Sequence, residues 1–208
     1  VGPKWVGKTT TGEQQAKSVV RLHGGGSDGD NITSARLTPH LILAGEKPKL
    51  IDEWQDAPNI WDAIRCYCDE NPIPGNFILT GSTRTKVKTA HSGIGRITNI
   101  VMHPMSLYES KDSNGKVSLS ELFDGKETLA NGVKSDLKIE DLIFCACRGG
   151  WPYALHLDKV EDQLEIARDY FKGLYTADIF NVDSVKRNRL TMKILLESYS
   201  RNISTLAS

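Results

Sequence analysis

The chain has 208 residues, enough to bury one substantial core and a second, smaller one. Basic and acidic residues number 26 each, so no net field indicates nucleic acid or a membrane surface as the partner. The apolar fraction of 39% and the charged fraction of 25% are those of an ordinary folded protein, and no apolar run is long enough to cross a membrane.

The first motif, GPKWVGKTT, occupies residues 2–10. It fits the pattern G-x-x-x-x-G-K-[ST], in which backbone N–H groups point at phosphate oxygens, the lysine meets the outer phosphates and the hydroxyl ligates magnesium. A helix beginning near Lys8 would add the positive end of its dipole. The alternative is a glycine turn before an ordinary helix. We predict nucleotide contacts from Gly2, Pro3, Lys4, Trp5, Val6, Gly7, Lys8, Thr9 and Thr10, with Thr9 also on Mg²⁺.

The next segments predict a helix over TTGEQQAK, a short strand over SVVRLHG and a loop over GGGSDGDN. TPHLILAGEKP contains an apolar cluster that fits either a helix or a strand, and KLIDEW contains a short strand that ends in Asp52 and Glu53. Ligands of open α/β sheets bind at the carboxyl ends of the strands. We therefore predict that Asp52 holds Mg²⁺ and that Glu53 polarises the attacking water. The alternative is a solvated pair of acids ahead of a helix.

NIWDAIRCYCDE has apolar residues at helical spacing, NPIPGN ends the helix, and FILTGS is a compact strand followed by small polar residues. Thr80 and Ser82 are candidates for a side chain that senses the γ-phosphate. Thr80 is preferred, because Gly81 allows close approach of the backbone beyond it. The alternative is a strand followed by an ordinary small-residue turn.

Residues 83–92 predict a basic, polar loop, in which Arg84 and Lys86 are as well explained by solvation. Arg96, in SGIGRI, is a candidate for stabilising charge on a transferring phosphoryl group, with a surface arginine as the alternative. RITNIVMHPMSLYE then predicts an extended segment with a turn or edge at Pro104.

The four cysteines form two C-x-C pairs, Cys66 with Cys68 and Cys145 with Cys147. Structural zinc sites more often have C-x2-C spacing, and residues two apart on a helix point to different faces. Because both segments have helical patterns, we predict metal-free thiols, which fit a reducing cytoplasm.

A polar linker, KDSNGKVS, separates two kinds of sequence. Beyond it helical patterns dominate, in KIEDLIFCACRGG, KVEDQLEIARDYFKGLYTADIF and NRLTMKILLESYSRNIS. We predict an α/β part over residues 1–112 and a helical region over residues 113–208.

Five segments of the chain, taken in order, resemble the AAA-type ATP-binding proteins of bacteria and archaea: GPKWVGKTT, LIDEWQDAPNIWDAIR, FILTGS, GIGRI and HPMSLYES. Proteins of this family pair an N-terminal ATPase domain with a poorly characterised C-terminal domain. The resemblance implies phosphate and magnesium roles for Lys8 and Thr9, an acidic motif at Asp52 and Glu53, and a sensor at residues 80–82. GGWP at residues 149–152 and RNIS at residues 201–204 also resemble the family, in which the latter leads into a winged-helix-like region. The strand expected before the first motif is missing except for Val1, so we expect a fragment of a longer protein.

The expected fold class is α/β: a P-loop NTPase parallel sheet flanked by helices, with its first strand missing, followed by a mostly helical region. The expected function is magnesium-dependent ATP hydrolysis coupled to conformational change, with ATP and Mg²⁺ as cofactors, in the cytoplasm. Two alternatives stay open: a non-hydrolysing ATP-dependent switch, DNA-binding regulator or adaptor, and a small-molecule kinase. Expected partners are ATP, a second copy or another protein, and nucleic acid through a missing C-terminal part, without a membrane.

Overall fold

The computed structural model describes residues 1–23, 27–81, 91–125, 132–178, 188–203 and 205. The chain divides into two compact units, Val1–Pro104 and Met105–Ser208. Each unit is described by itself below. The sequence-based boundary at residue 112 stays a prediction about domains.

The first unit contains a parallel sheet of three strands: β1 (Ser18–Arg21), β2 (Lys49–Asp52) and β3 (Phe77–Thr80), in the order β1-β2-β3. Every residue of the central strand β2 is buried, as expected for a parallel strand covered on both faces. In the register, Asp52 lies beside Arg21 on one side and Thr80 on the other. The three carboxyl ends therefore meet at one edge of the sheet.

Among the described residues of this unit, four helices flank the sheet: α1 (Lys8–Gln15), α2 (Ser27–Leu37), α3 (Pro39–Leu43) and α4 (Asn59–Glu70). A short 3-10 turn, Trp54–Asp56, joins β2 to α4. Helices α2, α3 and α4 supply most of the core, together with β2 and the residues that follow β1 and precede α4. The core residues are Leu22, Ala35, Ile42, Leu43, Ile51, Ala57, Ile60 and Ile64. The predicted α/β architecture with a parallel sheet and flanking helices is confirmed.

The loop predicted over GGGSDGDN is wrong for its second half, because α2 already begins at Ser27. Tertiary contacts explain the difference. Ala35 is fully buried in the core, and the Asn59 side-chain amide of α4 donates to the carbonyls of Ala35 and Arg36 at 2.8 and 3.0 Å, which caps the end of α2. The neighbouring apolar cluster of uncertain type is helix α3.

The extended segment predicted after Arg96 contains no strand between residues 97 and 108. Instead, the backbone there pairs with the first residue of the chain. The amino group of Val1 donates to the carbonyl of Ile100 at 2.8 Å, and the N–H of Met102 donates to the carbonyl of Val1 at 2.8 Å. Backbone hydrogen bonds to residue 1 therefore stand here in place of the strand that the extended pattern suggested.

The second unit contains α5 (Leu119–Phe123), α6 (Ile139–Arg148), a 3-10 turn (Pro152–His156), α7 (Val160–Thr176) and α8 (Arg189–Asn202). Helix α7 contacts α6, the 3-10 turn and α8, and Trp151 stacks on Tyr170 with ring centroids 4.1 Å apart. Within the described ranges, no helix of either unit is long and apolar enough to cross a membrane.

Candidate functional site

The phosphate-binding motif forms a loop that runs directly into α1. Gly7 precedes the first helical residue in a left-handed conformation, with φ 91°, where a side chain would be strained. Its carbonyl accepts the first helical bond from the N–H of Thr11 at 2.9 Å. Trp5 is also left-handed, with φ 64°, and its side chain is exposed, whereas Val6 is buried. The loop therefore leads into a helix that begins at Lys8, and its contacts with nucleotide stay a prediction.

Lys8, the first residue of α1, folds back across this loop. Its Nζ donates to the carbonyl of Pro3 at 2.6 Å. Burial lowers the pKa of Lys8, while the charges of Glu53 and Asp52 act in the opposite direction. The lysine charge is thus held between the loop and the acids that follow β2.

Asp52 is the centre of the site. It lies at the carboxyl end of β2 and is only 2% exposed. Its Oδ1 accepts hydrogen bonds from the hydroxyls of Thr9, at 2.8 Å, and Thr80, at 2.5 Å. His23 Nδ1 lies 3.9 Å from the other carboxylate oxygen. One carboxylate therefore connects the start of α1 with the ends of β2 and β3.

The close packing of α1 on the sheet makes the Thr9 contact possible. Gly12 is buried, and a Cβ there would lie 3.0 Å from Leu50 Cδ1 and 3.5 Å from Thr80 Cγ2. A larger residue would push the helix away from β2 and β3. The spacing of Gly12 three residues after Thr9 places both on nearby turns of the same helix.

Glu53, the second acid, adopts a left-handed conformation with φ 54° and ψ 46°. Such a conformation is uncommon for a residue with a side chain and is unfavourable by about 1–2 kcal/mol. The side-chain amide of Gln55 donates to one oxygen of the Glu53 carboxylate. The chain therefore turns sharply after Asp52 and holds the second carboxylate from its own 3-10 turn.

Arg96 does not join this group. Its Nε donates to Asp69 Oδ1 at 2.6 Å, and Asp69 belongs to the last turn of α4. Helix α4 runs from the carboxyl edge of β2 back toward the amino end of β3, so its last turn lies toward the edge opposite Asp52. Ser82, Arg84 and Lys86 lie outside the described residues.

Two residues of the site were missed in the sequence: His23 and Gln55. Both follow a strand of the sheet within three residues, at the edge where the strands end. The rule that polar residues after parallel strands converge at one edge applied to both. Only Asp52 and Glu53 were predicted from it.

The cysteines lie where helices were predicted. Cys66 and Cys68 belong to α4, and Cys145 and Cys147 belong to α6. Among the residues that the structure describes, no group of three or more His, Cys, Asp and Glu side chains is arranged to hold a metal. The metal-free state of these thiols stays a prediction.

Oxygen ligands suit Mg²⁺, which usually takes one or two protein ligands together with phosphate oxygens and water. The Thr9 hydroxyl and the Asp52 carboxylate are oxygen donors 2.8 Å apart at the start of α1. They fit this ion in chemistry and in number.

The first motif forms a loop between two glycines that enters a helix. The lysine and the hydroxyl at the start of this helix face a buried aspartate at the carboxyl edge of a parallel sheet. Together these features define a P-loop-like nucleotide-binding domain. The model of a protein family described as "AAA domain" matches residues 1–111, which is more than half of the 208-residue chain, and the chain belongs to this family. No curated protein and no solved structure matches the chain. The predicted AAA-type nucleotide-binding domain is confirmed at this level.

Proposed function

We propose that the chain hydrolyses ATP with the help of Mg²⁺ and couples its nucleotide state to a change of conformation. The observation that supports this proposal most is the shared carboxylate of Asp52, which binds the hydroxyls of Thr9 and Thr80. Family membership supports nucleotide binding. The proposed ATPase part covers residues 1–112, with residues 113–208 as a helical region.

In this proposal the loop over residues 2–10 holds the phosphates through its backbone N–H groups, and Lys8 leaves the Pro3 carbonyl to meet the outer phosphates. Thr9 and Asp52 would hold Mg²⁺, which would neutralise charge on the phosphate oxygens. Thr80 keeps Asp52 in place and lies at the strand end where the γ-phosphate is expected.

Glu53 is the proposed general base. Its carboxylate accepts a proton from water while the water oxygen forms a bond to the γ-phosphorus. The bond from that phosphorus to the bridging oxygen breaks, and ADP and phosphate leave. Burial lowers the pKa of Lys8 and the charge of Glu53 acts to raise it, which supports a position of Glu53 on the side of the site where Lys8 would meet the phosphates.

Two rivals make different predictions. A non-hydrolysing switch, acting as an adaptor or DNA-binding regulator, would keep bound ATP without releasing phosphate. A small-molecule kinase would transfer phosphate to an added acceptor rather than to water. A second acid directly after Asp52, whose charge acts to raise the pKa of Lys8, favours water activation over both.

Three variants of the full chain separate binding from chemistry. Lys8→Ala should abolish ATP binding, since it removes the charge for the outer phosphates. Glu53→Gln should keep binding but lower phosphate release at least about 100-fold, because an amide cannot accept the proton. Asp52→Asn should weaken both the rate and its dependence on Mg²⁺.

Binding is measured by calorimetry and turnover by phosphate release, beside the exposed controls Lys17→Ala and Glu70→Gln. If Glu53→Gln turns over as fast as the wild type, the general base is misassigned and the switch gains support. If Lys8→Ala binds ATP as tightly as Lys17→Ala, the first motif is only a glycine turn.

The guanidinium of Arg96 is paired with Asp69 in the last turn of α4, away from Asp52. We therefore propose a catalytic role for Arg96 only if it acts on ATP bound to a neighbouring copy of the chain. In that case Arg96→Ala should lower turnover more than ATP affinity. Mixing Arg96→Ala with Glu53→Gln should then restore part of the activity, since each copy supplies what the other lacks. Turnover at the wild-type rate in Arg96→Ala alone would leave it as a surface arginine.

A further inference from the structure

Gln55 joins two parts of the candidate site through its side-chain amide. The NH2 group donates to the Glu53 carboxylate. The amide oxygen, Oε1, is buried and has no hydrogen-bond partner among the described residues. A Cβ on Gly81 would lie only 2.3 Å from this oxygen and 3.2 Å from Cδ. The amide is thus enclosed between the acid that follows β2 and the backbone that follows β3.

This arrangement is unfavourable for folding in two respects. Glu53 is in the left-handed region, where a side chain is strained. Among the described residues, no donor replaces the hydrogen bonds to water that the buried acceptor of Gln55 gives up. Neither feature contributes to the core, which consists of apolar residues of the strands and helices. Local strain of this kind concentrates at functional sites, where the position of a group matters more than stability.

We propose that Gln55 is a positioning residue for ATP hydrolysis: its amide fixes the orientation of the Glu53 carboxylate, and Gly81 provides the space that the amide needs. This inference rests on the proposed function. The NH2 group holds one carboxylate oxygen, and the proton of the attacking water passes to the other. Gln55 itself contacts neither ATP nor water in this role.

The chemistry of the side chain is specific. A glutamate at this position would bring a second carboxylate against Glu53, and like charges at hydrogen-bond distance repel. A methionine has a similar length and no donor, so it would fill the space and remove the hydrogen bond from residue 55 to the Glu53 carboxylate. Methionine also removes the buried oxygen that has no partner within the described part of the chain, so the fold should not lose stability.

The first test is Gln55→Met. We expect kcat for ATP hydrolysis to fall at least 10-fold, while the KM for ATP and the dissociation constant of ATP change less than 2-fold. The unfolding temperature should stay equal or rise. A purely structural role predicts the opposite pattern, with a lower unfolding temperature and kcat within 2-fold of the wild type, and that result would overturn the proposal.

The second test approaches the same amide from the other side. Gly81→Ala leaves Gln55 unchanged, but the new methyl group overlaps with Oε1 and must displace the amide. We expect the same loss of kcat. Because both substitutions act through one amide, the double variant should be no slower than the slower single variant. Losses that multiply would mean that Gly81 acts independently of Gln55, which contradicts the proposal.

Matched controls are the exposed Gln14→Met on α1 and Gly173→Ala on α7, where an added Cβ meets no atom within 4 Å. Both should keep the wild-type kcat. If the wild type itself releases no phosphate, the proposed function fails. If the wild type hydrolyses ATP and Glu53→Gln does not, while Gln55→Met and Gly81→Ala are as fast as their controls, only the present inference fails.

Discussion

Replacing Thr80 by valine tests how far the buried Asp52 carboxylate depends on its hydroxyl donors. Thr80 is buried at the end of β3, and its hydroxyl donates to Asp52 Oδ1 at 2.5 Å. Valine has nearly the same shape and suits a strand, so the change removes a donor with little change of packing. Thr9 continues to donate to the same oxygen.

The expected loss follows from the burial of the acceptor. A hydrogen bond to a charged group contributes about 1.5–3 kcal/mol, and a carboxyl group that is 2% exposed has few waters to replace the donor. With Thr9 still in place, we expect Thr80→Val to lower the free energy of unfolding of the first unit by about 2 kcal/mol. At a urea dependence of about 1.5 kcal/mol per molar, the midpoint falls by about 1.3 M.

Urea unfolding followed by tryptophan fluorescence measures this loss. Trp54 and Trp61 of the first unit lie with ring centroids 4.9 Å apart, so their emission reports on this unit. The control is Thr11→Val, an exposed position on α1. A loss below about 0.5 kcal/mol, the range of an ordinary surface substitution, would refute the dependence of Asp52 on the Thr80 hydroxyl.

In the second unit, Arg148→Met should lower the free energy of unfolding by about 2–3 kcal/mol, measured by urea unfolding followed by near-UV circular dichroism. Arg148 is buried and pairs with Asp112 at 2.5 Å. The control is the exposed Arg168→Met, which should lower the free energy of unfolding by less than about 0.5 kcal/mol. Equal losses in the two variants would contradict a stabilising role of the buried pair. Burial raises the pKa of Asp112, but hydrogen bonds led by that from Arg148 outweigh it and lower the pKa. The pair should therefore stabilise the fold fully above the ordinary aspartate pKa of about 3.9 and progressively less as the pH falls toward the lowered value, and the wild type should lose more stability there than Arg148→Met does. In the first unit, Gly2→Ala should lower both the unfolding temperature and the affinity for ATP, because the new Cβ would lie 2.3 Å from the backbone oxygen of Met102. An unchanged unfolding temperature would show that the structure relaxes this contact without loss of stability.

The sequence by itself determined the chemical groups of the candidate site. The glycine and lysine pattern over residues 2–10 is local, and so are the short strands that end in Asp52 and Thr80. Parallel strands between helices place their carboxyl ends at one edge, so these residues could be expected together before any contact was known. In the folded chain, the hydroxyl of Thr9 in α1 donates to Asp52 at this edge.

The tertiary structure decided the contacts that depend on residues far apart in the chain. Helix α2 forms where the local pattern favoured a loop, because Ala35 packs in the core and Asn59 caps its end. Arg96 lies against Asp69, and no local signal in SGIGRI specifies that partner.

The contacts of Gln55 were also decided by the tertiary structure. The sequence IDEWQD does not show that the Gln55 amide turns back to Glu53 and occupies the space beside Gly81. Periodicity and turn residues encode strands, helices and the edge at which strands end, because these depend on neighbours in sequence. The choice among hydrogen-bond partners at that edge depends on the packing of three segments at once, so only the folded chain determines it.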